Sequence, residues 1–301
     1  MSDVLTAAPP GAQAFAPPLT PPVMPEPHDV FRFGDGEHRF LSLRMRRLLR
    51  EGAVSVVDIL ERDEKPDPDV TAIIPARNEA STIGTVIREC FNYAAHVLVV
   101  EGGSTDDTAS VAAAAGARVI RDQGRGKGAA LRHAVQHVET DICVFVDADG
   151  SHDPIDIPLL VAPIKAGEAE HVAGSRLLGG SDELHGGGDE FLRLAGSAFI
   201  TYLINRRFRA RLSDSQNGFR AIRTEVFRRL DLRARHTTIE MEMIMATLAA
   251  GYRILEVPTH ERPRAAGYSK ISLHHPGTWF SYGGCLVRGL LQPRRSPARP
   301  S

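Results

Sequence analysis

Val144-Phe145-Val146-Asp147-Ala148-Asp149-Gly150 begins as an apolar β-forming run and ends in two carboxylates one residue apart, followed by glycine. The apolar start predicts a buried parallel strand. The glycine permits a sharp turn immediately after the acids. In an open α/β sheet, ligands bind beyond the carboxyl ends of the strands, so Asp147 and Asp149 are expected at the ligand edge. Carboxylates held together repel each other, and an oxygen-preferring divalent cation relieves that repulsion. An isolated pair of this kind equally suits a polar strand end or a helix cap. The flanking segments therefore decide its meaning.

Upstream, Val70–Ile74 reads as a strand broken by Pro75-Ala76-Arg77-Asn78-Glu79, with Ser81 or Thr82 capping a helix that runs to about Tyr93. His96–Val100 is a second strand, running into Glu101-Gly102-Gly103-Ser104-Thr105-Asp106-Asp107-Thr108. A helix over Ala109–Gly116 closes on glycine, and Ala117–Arg121 is a third strand. Gly124-Arg125-Gly126-Lys127-Gly128 then opens a helix to about Val138, and strand 142–147 delivers the two acids. Downstream come helix Ile157–Ala166, strand Ala169–Ala173 ending in Gly174-Ser175-Arg176, and a glycine-rich loop over 179–188. Helix Arg193–Phe208 leads through the turn Asp214–Arg220 into strand Phe219–Ile222, then helix Ile239–Ala250 and strand Tyr252–Pro258. Strand–helix alternation at this spacing predicts an α/β fold, a mostly parallel, doubly wound central sheet with helices on both faces.

The 301 residues divide into a proline-rich arm (1–27), a helical extension and linker (28–69), the α/β domain (70–275), and an apolar segment with a basic tail (276–301). The extension holds an apolar stripe of Phe40, Leu41, Leu43, Met45, Leu48 and Leu49 among arginines, which suits either a solvated face or contact with anionic lipid. A net charge of −1 and the absence of any zinc-finger, helix-turn-helix or RNA-binding signature argue against a nucleic-acid partner. Cys90, Cys143 and Cys285 have no paired spacing, which suits reduced thiols and a cytoplasmic setting. No apolar stretch reaches the about 18 residues of a spanning helix. The expected location is therefore cytoplasmic, with peripheral attachment to the membrane face and homo-oligomer formation left open.

Gly124–Gly128 is neither a P-loop nor a dinucleotide fingerprint; alone it reads equally as a flexible turn or a phosphate cradle. Together with Ile74–Glu79, Glu101–Asp106, Asp147–Asp149, Gly174–Arg176, Asp214–Arg220 and Gly267-Tyr268-Ser269-Lys270, it resembles the family-2 inverting glycosyltransferases of the GT-A fold. The resemblance covers about 70 to 275 and points to the branch of dolichyl- and polyprenyl-phosphate sugar synthases. It implies a Rossmann-like nucleotide-diphospho-sugar transferase fold and a UDP- or GDP-linked donor. The implied donor contacts are Pro75, Arg77, Asn78, Glu79, Glu101, Gly103, Ser104, Lys127, Asp147 and Ala148. Asp149 would ligate Mg²⁺ or Mn²⁺, with Asp147 on ribose or on metal-bound water. Arg264, Ser269 and Lys270 would close over the diphosphate as a lid. Arg176 and Arg220 would meet phosphate or an acceptor anion, their alternative being surface ion pairs. Asp214 is the candidate acceptor-side carboxylate, a general base if the acceptor is a hydroxyl; turn capping or a structural pair with Arg220 or Arg223 is its alternative, and Glu240 is divided in the same way.

Three departures from the branch stand out. Glu101 occupies a usual aspartate position, Ser151 a usual glutamine, and Ala198 and Thr201 the places of an arginine and an asparagine. Polyprenyl phosphate is the preferred acceptor, with a small soluble acceptor as the alternative. A non-catalytic nucleotide-sugar scaffold and a nucleotidyltransferase are the rival classes.

Overall fold

A computed structural model of the chain describes residues 31–32, 38–39, 65–122, 124, 126–181, 188–263 and 276–294. The chain divides into two compact units, Met1–Leu41 and Ser42–Ser301. In the first, strands β1 (Phe31–Arg32) and β2 (His38–Arg39) pair antiparallel. The proline-rich arm, the arginine-flanked stripe at 40–49, Arg125 and the three residues expected to form a lid, Arg264, Ser269 and Lys270, lie outside the described residues.

The second unit is built on a seven-stranded sheet: β3 (Asp67–Ala76), β4 (Ala94–Glu101), β5 (Arg118–Arg121), β6 (Ile142–Phe145), β7 (His171–Ser175), β8 (Arg220–Arg223) and β9 (Ile254–Pro258), in the spatial order β5-β4-β3-β6-β8-β7-β9. Among the described residues its helices are α1 (Ile83–Cys90), α2 (Thr108–Ala114), α3 (Lys127–Val135), α4 (Ile157–Lys165), α5 (Arg176–Gly179), α6 (Gly188–Phe208), α7 (Thr224–Arg229), α8 (Ile239–Ala249) and α9 (Pro276–Leu290), with a one-turn 3-10 helix at Pro154–Asp156.

Side chains alternate across the strands, and this sorts the core. Val70, Ala72, Ile74, Val97, Val99, Ile142 and Val144 pack on one face with α1 and α4. Ile73, Leu98, Val100, Cys143 and Phe145 pack on the other with α3, α7 and α8. Continuous apolar runs such as Val97–Val100 are thus required because both faces are covered. A third cluster joins Ile204 and Phe208 of α6, Met241, Ile244 and Met245 of α8, and Cys285 of α9. Each fully buried aliphatic side chain contributes about 1.5–3 kcal/mol.

β3 pairs in parallel with both β4 and β6, so the winding direction reverses between β3 and β6. Ala76, Glu101, Phe145, Ser175 and Pro258 therefore all end at one edge. β8 runs antiparallel between β6 and β7, with Arg220 opposite Phe145 and Ala173. The apolar pattern at 219–222 implied a strand but carried no direction. Because the chain enters β8 from the turn at 214–219, Arg220 arrives at the same edge as the strand carboxyl ends. β3 begins at Asp67, within the expected linker, where Lys165 Nζ holds Asp67 at 2.6 Å and Asp69 at 3.1 Å.

Candidate active site

Past β6, Val146 N donates to Ile73 O at 3.0 Å, carrying the strand one residue further before it leaves the sheet. Asp147 N then donates to His152 Nδ1 at 3.0 Å. The His152 ring stacks on Phe219 with centroids 4.9 Å apart and planes 10° from parallel. Burial holds this imidazole below its ordinary range, and a neutral ring is what lets Nδ1 accept. Gly150 turns at φ 79, which brings Ser151 N and Oγ onto Asp149 Oδ1 at 3.1 and 2.7 Å. Ser151, standing where the branch has glutamine, thus orients the second carboxylate by a local Asx-type contact.

Lys127 opens α3 and sends its Nζ to Asp147 Oδ1 at 2.6 Å and Glu240 Oε1 at 2.7 Å. Burial disfavours the ammonium, yet the two carboxylates outweigh it and raise the lysine above its usual range. The glycines around it serve close packing. A Cβ at Gly128 would fall on the Ala234 carbonyl, and Gly128 N donates to Arg235 O at 2.9 Å. A Cβ at Gly218 would stand 3.1 Å from both Lys127 Nζ and Asp147 Oδ2. Glu240 is 4% exposed, and its Oε2 has no hydrogen-bond partner. The acid that the sequence left divided between cap and function thus sits in the heart of the site.

Arg220 lies elsewhere than its expected place against an acceptor anion. It is fully buried, donating from Nη1 to Glu240 O at 2.8 Å and from Nη2 to Asn217 O. Burial pulls its guanidinium down to about 10, which leaves it charged at neutral pH. These contacts tie the 214–219 turn to the start of α8.

Arg176, at the end of β7, grips Asp214 through Nε–Oδ2 at 2.7 Å and Nη2–Oδ1 at 3.1 Å, and lies 3.5 Å from Glu261 Oε1. Asp214 is 2% exposed and also accepts from Gln216 N at 3.0 Å and Asn217 N at 3.2 Å. Burial opposes its charge, but Arg176 and these amides hold the carboxyl below the usual carboxylate range. It is a weak base in this setting. Glu256 orients the turn by accepting from Ser213 N and Asp214 N at 2.7 and 2.8 Å. Glu261 takes the Ser181 hydroxyl at 2.6 Å. Glu256 and Glu261 escaped sequence reading because their partners lie far off in the chain. Thr201 supports the same turn from α6, its Oγ1 2.8 Å from Ser215 Oγ.

Elsewhere along this edge, the loops after β3 and β4 are stitched together. Asn78, at φ 57, donates from N to Ser104 Oγ at 3.0 Å and accepts from Thr105 N at 2.8 Å. Glu79 N donates to Thr108 Oγ1 at 2.9 Å, and Ser104 N donates to buried Glu101. Arg77, Asn78 and Gly103 are exposed beside this seam, and Pro75 is half-buried. Ala148 differs: its side chain is 4% exposed within the core, so only its backbone borders the edge. Arg262 is pinned by Asp153 at 2.5 Å and Glu89 at 3.5 Å.

The donor atoms at this edge are carboxylate oxygens, the chemistry of Mg²⁺ or Mn²⁺. Among the described residues no three His, Cys, Asp or Glu side chains converge on one point. Such a cation would therefore be held by Asp149, with Asp147 next to it drawn toward Lys127, and completed by substrate oxygens and water.

Residues 71–231 match the family described as glycosyl transferase family 2. The chain is 35% identical over 209 residues to glycosyltransferase AglJ of Haloferax volcanii, covering 67% of this chain and 66% of that one, just short of two thirds of the relative's length. An uncharacterized glycosyltransferase of Mycobacterium bovis is 32% identical over 203 residues, covering 67% of this chain and 89% of the relative. A dolichyl-phosphate hexose transferase of Haloferax volcanii is 28% identical, covering 75% and 96%. Among solved structures, glucosyl-3-phosphoglycerate synthase from Mycobacterium tuberculosis, in complex with Mn²⁺, UDP-glucose and phosphoglyceric acid, superposes with a TM-score of 0.59 at 25% identity, covering 74% of this chain and 80% of that one.

Proposed function

The chain belongs to glycosyl transferase family 2 and is a glycosyltransferase of the GT-A fold, and from that premise we propose that it transfers a hexose from a UDP- or GDP-linked donor to polyprenyl phosphate. In this reading an oxygen of the acceptor phosphate forms a bond to the anomeric carbon from the face opposite the leaving group. The bond from that carbon to the donor diphosphate breaks with its electron pair, giving an inverted glycosyl phosphate and a nucleoside diphosphate. A divalent cation, when bound, supplies charge stabilisation for the leaving diphosphate. Asp149 and Asp147 are the residues that would hold it, while the Arg77–Glu79 loop, Glu101, Gly103 and Ser104 would seat the nucleoside.

The observation that carries the acceptor class is the state of Asp214. It is buried, forked by Arg176 and held below the usual carboxylate range, so it is poorly suited to take a hydroxyl proton. A phosphate monoester is already ionised near neutral pH and needs no such base. Beside Arg176, α5 presents Leu177 and Leu178 at 49% and 36% exposure, an apolar flank that suits a prenyl chain. The dolichyl-phosphate hexose transferase relative adds weight to this acceptor. A small phosphorylated acid is the second reading, favoured by the phosphoglycerate-bound structural neighbour.

The test combines UDP- and GDP-hexoses with polyprenyl phosphate or 3-phosphoglycerate, with and without Mn²⁺, and identifies products by mass spectrometry. A metal-dependent glycosyl prenyl phosphate, lost in Asp149→Ala, is expected. Transfer to 3-phosphoglycerate alone would establish the second reading, and pyrophosphate as the released product would overturn both.

A further inference from the structure

Helix α9 is predominantly apolar, with Arg288 its one charged residue and Thr278 and Ser281 its only aliphatic hydroxyls. One face packs inward: Cys285 is buried, Tyr282, Leu286 and Leu290 join the cluster shared with α6 and α8, and Gly289 abuts Met245. Arg288 also turns inward, to Glu242 Oε1 at 2.8 Å. The opposite face repeats at helical spacing through Phe280, Gly283, Gly284, Val287 and Leu291. On it Phe280 is 81%, Val287 57% and Leu291 77% exposed. This stripe extends about 17 Å along the helix. An exposed apolar strip of that continuity marks an interaction surface. α6, which packs on α9, carries its own exposed aromatics, Phe199 at 61% and Tyr202 at 59%, one turn apart. The two helices are tied end to side by Arg207, which donates to Leu290 O at 2.7 Å and Gln292 O at 2.8 Å.

Charge selects the occupant. The two acids of α6, Asp189 and Glu190, stand in its first turn, and residues 191–213 and 276–301 beyond them contain nine arginines and no aspartate or glutamate, in a chain whose acids otherwise outnumber its bases. Arg206, Arg209, Arg211 and Arg294 are exposed, Arg206 four residues after Tyr202 on α6 and Arg294 three residues after Leu291. Apolar and aromatic side chains flanked by arginines, without acids, match the interface of an anionic bilayer, where rings and aliphatic groups enter the headgroup boundary and guanidinium groups meet phosphates. No helix of the described residues is long and apolar enough to cross a membrane, so the contact is one that lies on the surface. We propose that the outer faces of α6 and α9 form a docking surface for a bilayer bearing anionic headgroups. The surface lies outside the donor and acceptor site, and its existence does not depend on which acceptor that site takes.

The experiment is co-sedimentation of the full chain with phosphatidylglycerol–phosphatidylcholine vesicles, without donor or acceptor, beside pure phosphatidylcholine vesicles. Binding should rise with phosphatidylglycerol content and fall in high salt. The double variant Phe280→Gln/Val287→Gln and the double variant Arg206→Gln/Arg294→Gln should each weaken binding by about tenfold or more. Both should retain the thermal stability and the donor hydrolysis of the parent chain, since neither touches the core or the sheet edge. Absence of vesicle binding by the parent chain overturns the proposal. So does a stable dimer in light scattering that these variants dissociate, because the face would then belong to a second copy. Vesicle binding with no transfer to polyprenyl phosphate would uphold the surface and count only against the acceptor reading.

Discussion

At the scale of single residues, Lys127 explains how two buried or half-buried acids coexist at the sheet edge. Its ammonium lies 2.6 Å from Asp147 and 2.7 Å from Glu240, and without it the two carboxylates would face each other across a site shielded from water. Lys127→Met should therefore cost about 2–4 kcal/mol in urea unfolding at neutral pH, a little under the range of about 3–5 kcal/mol for orphaning a fully buried charge, because Asp147 is half-buried. Adding Glu240→Gln should restore much of that loss, because one carboxylate no longer needs a partner. Asp156 works in the opposite sense. Burial raises its carboxyl from 3.8 to about 7, with the His260 amide donating to Oδ2 at 3.2 Å as a partial counterweight. The folded state holds this proton more tightly than the unfolded chain does. Asp156 thus has no effect below pH 4 and erodes stability progressively as pH rises to about 7, with a constant cost above it. Asp156→Asn keeps an acceptor for the amide and removes that cost. It should raise stability by about 2 kcal/mol at pH 8, below the ceiling of about 4 set by the shift because the side chain is partly exposed, and by nothing at pH 4. Equal gains at both pH values would refute this account.

At the scale of elements, Gly124–Gly128 reads from sequence equally as a flexible turn or a phosphate cradle, and in the structure Gly126 and Gly128 serve close packing against the 234–236 segment. Gly128→Ala should cost more than about 2 kcal/mol in chemical denaturation, since its Cβ would meet the fixed Ala234 carbonyl. Gly167, at φ 71 with nothing within 4 Å of a Cβ, offers the control: Gly167→Ala should lose only about 1–2 kcal/mol, the price of the left-handed backbone. The strands from β3 to β6 were legible because a sheet covered on both faces demands runs such as Val97–Val100 and Val144–Val146. The direction of β8 was not, because Phe219–Ile222 has the same pattern whichever way it runs. The loops after β3 and β4, which the proposed function assigns to the donor, were legible as strand-end loops. Glu261 and the pairing of Glu240 with Lys127 were illegible, since only the folded chain brings them to the edge.

At the scale of the whole molecule, Glu242 links the C-terminal helix to the site. Its carboxylate accepts from Arg233 N at 2.9 Å and Ala234 N at 2.7 Å, and also from Arg288 of α9 at 2.8 Å. It is 2% exposed, and the segment it holds is the one on which Gly128 and the first turn of α3 rest. A path of direct contacts therefore runs from α9 through Glu242 and the 233–235 backbone to Lys127 and Asp147. Removing the carboxylate in Glu242→Ala would leave two amides and a guanidinium without their acceptor, at a cost of about 3 kcal/mol or more. Arg288→Met removes only the half-exposed outer arm and should cost about 1 kcal/mol or less. The two variants also separate anchoring from site support. Glu242→Ala should weaken nucleotide-dependent thermal stabilisation because it loosens the ground under Lys127, whereas Arg288→Met should leave that stabilisation within about twofold in affinity. Equal losses of nucleotide binding in both would mean that α9 itself, rather than the 233–235 backbone, carries the support.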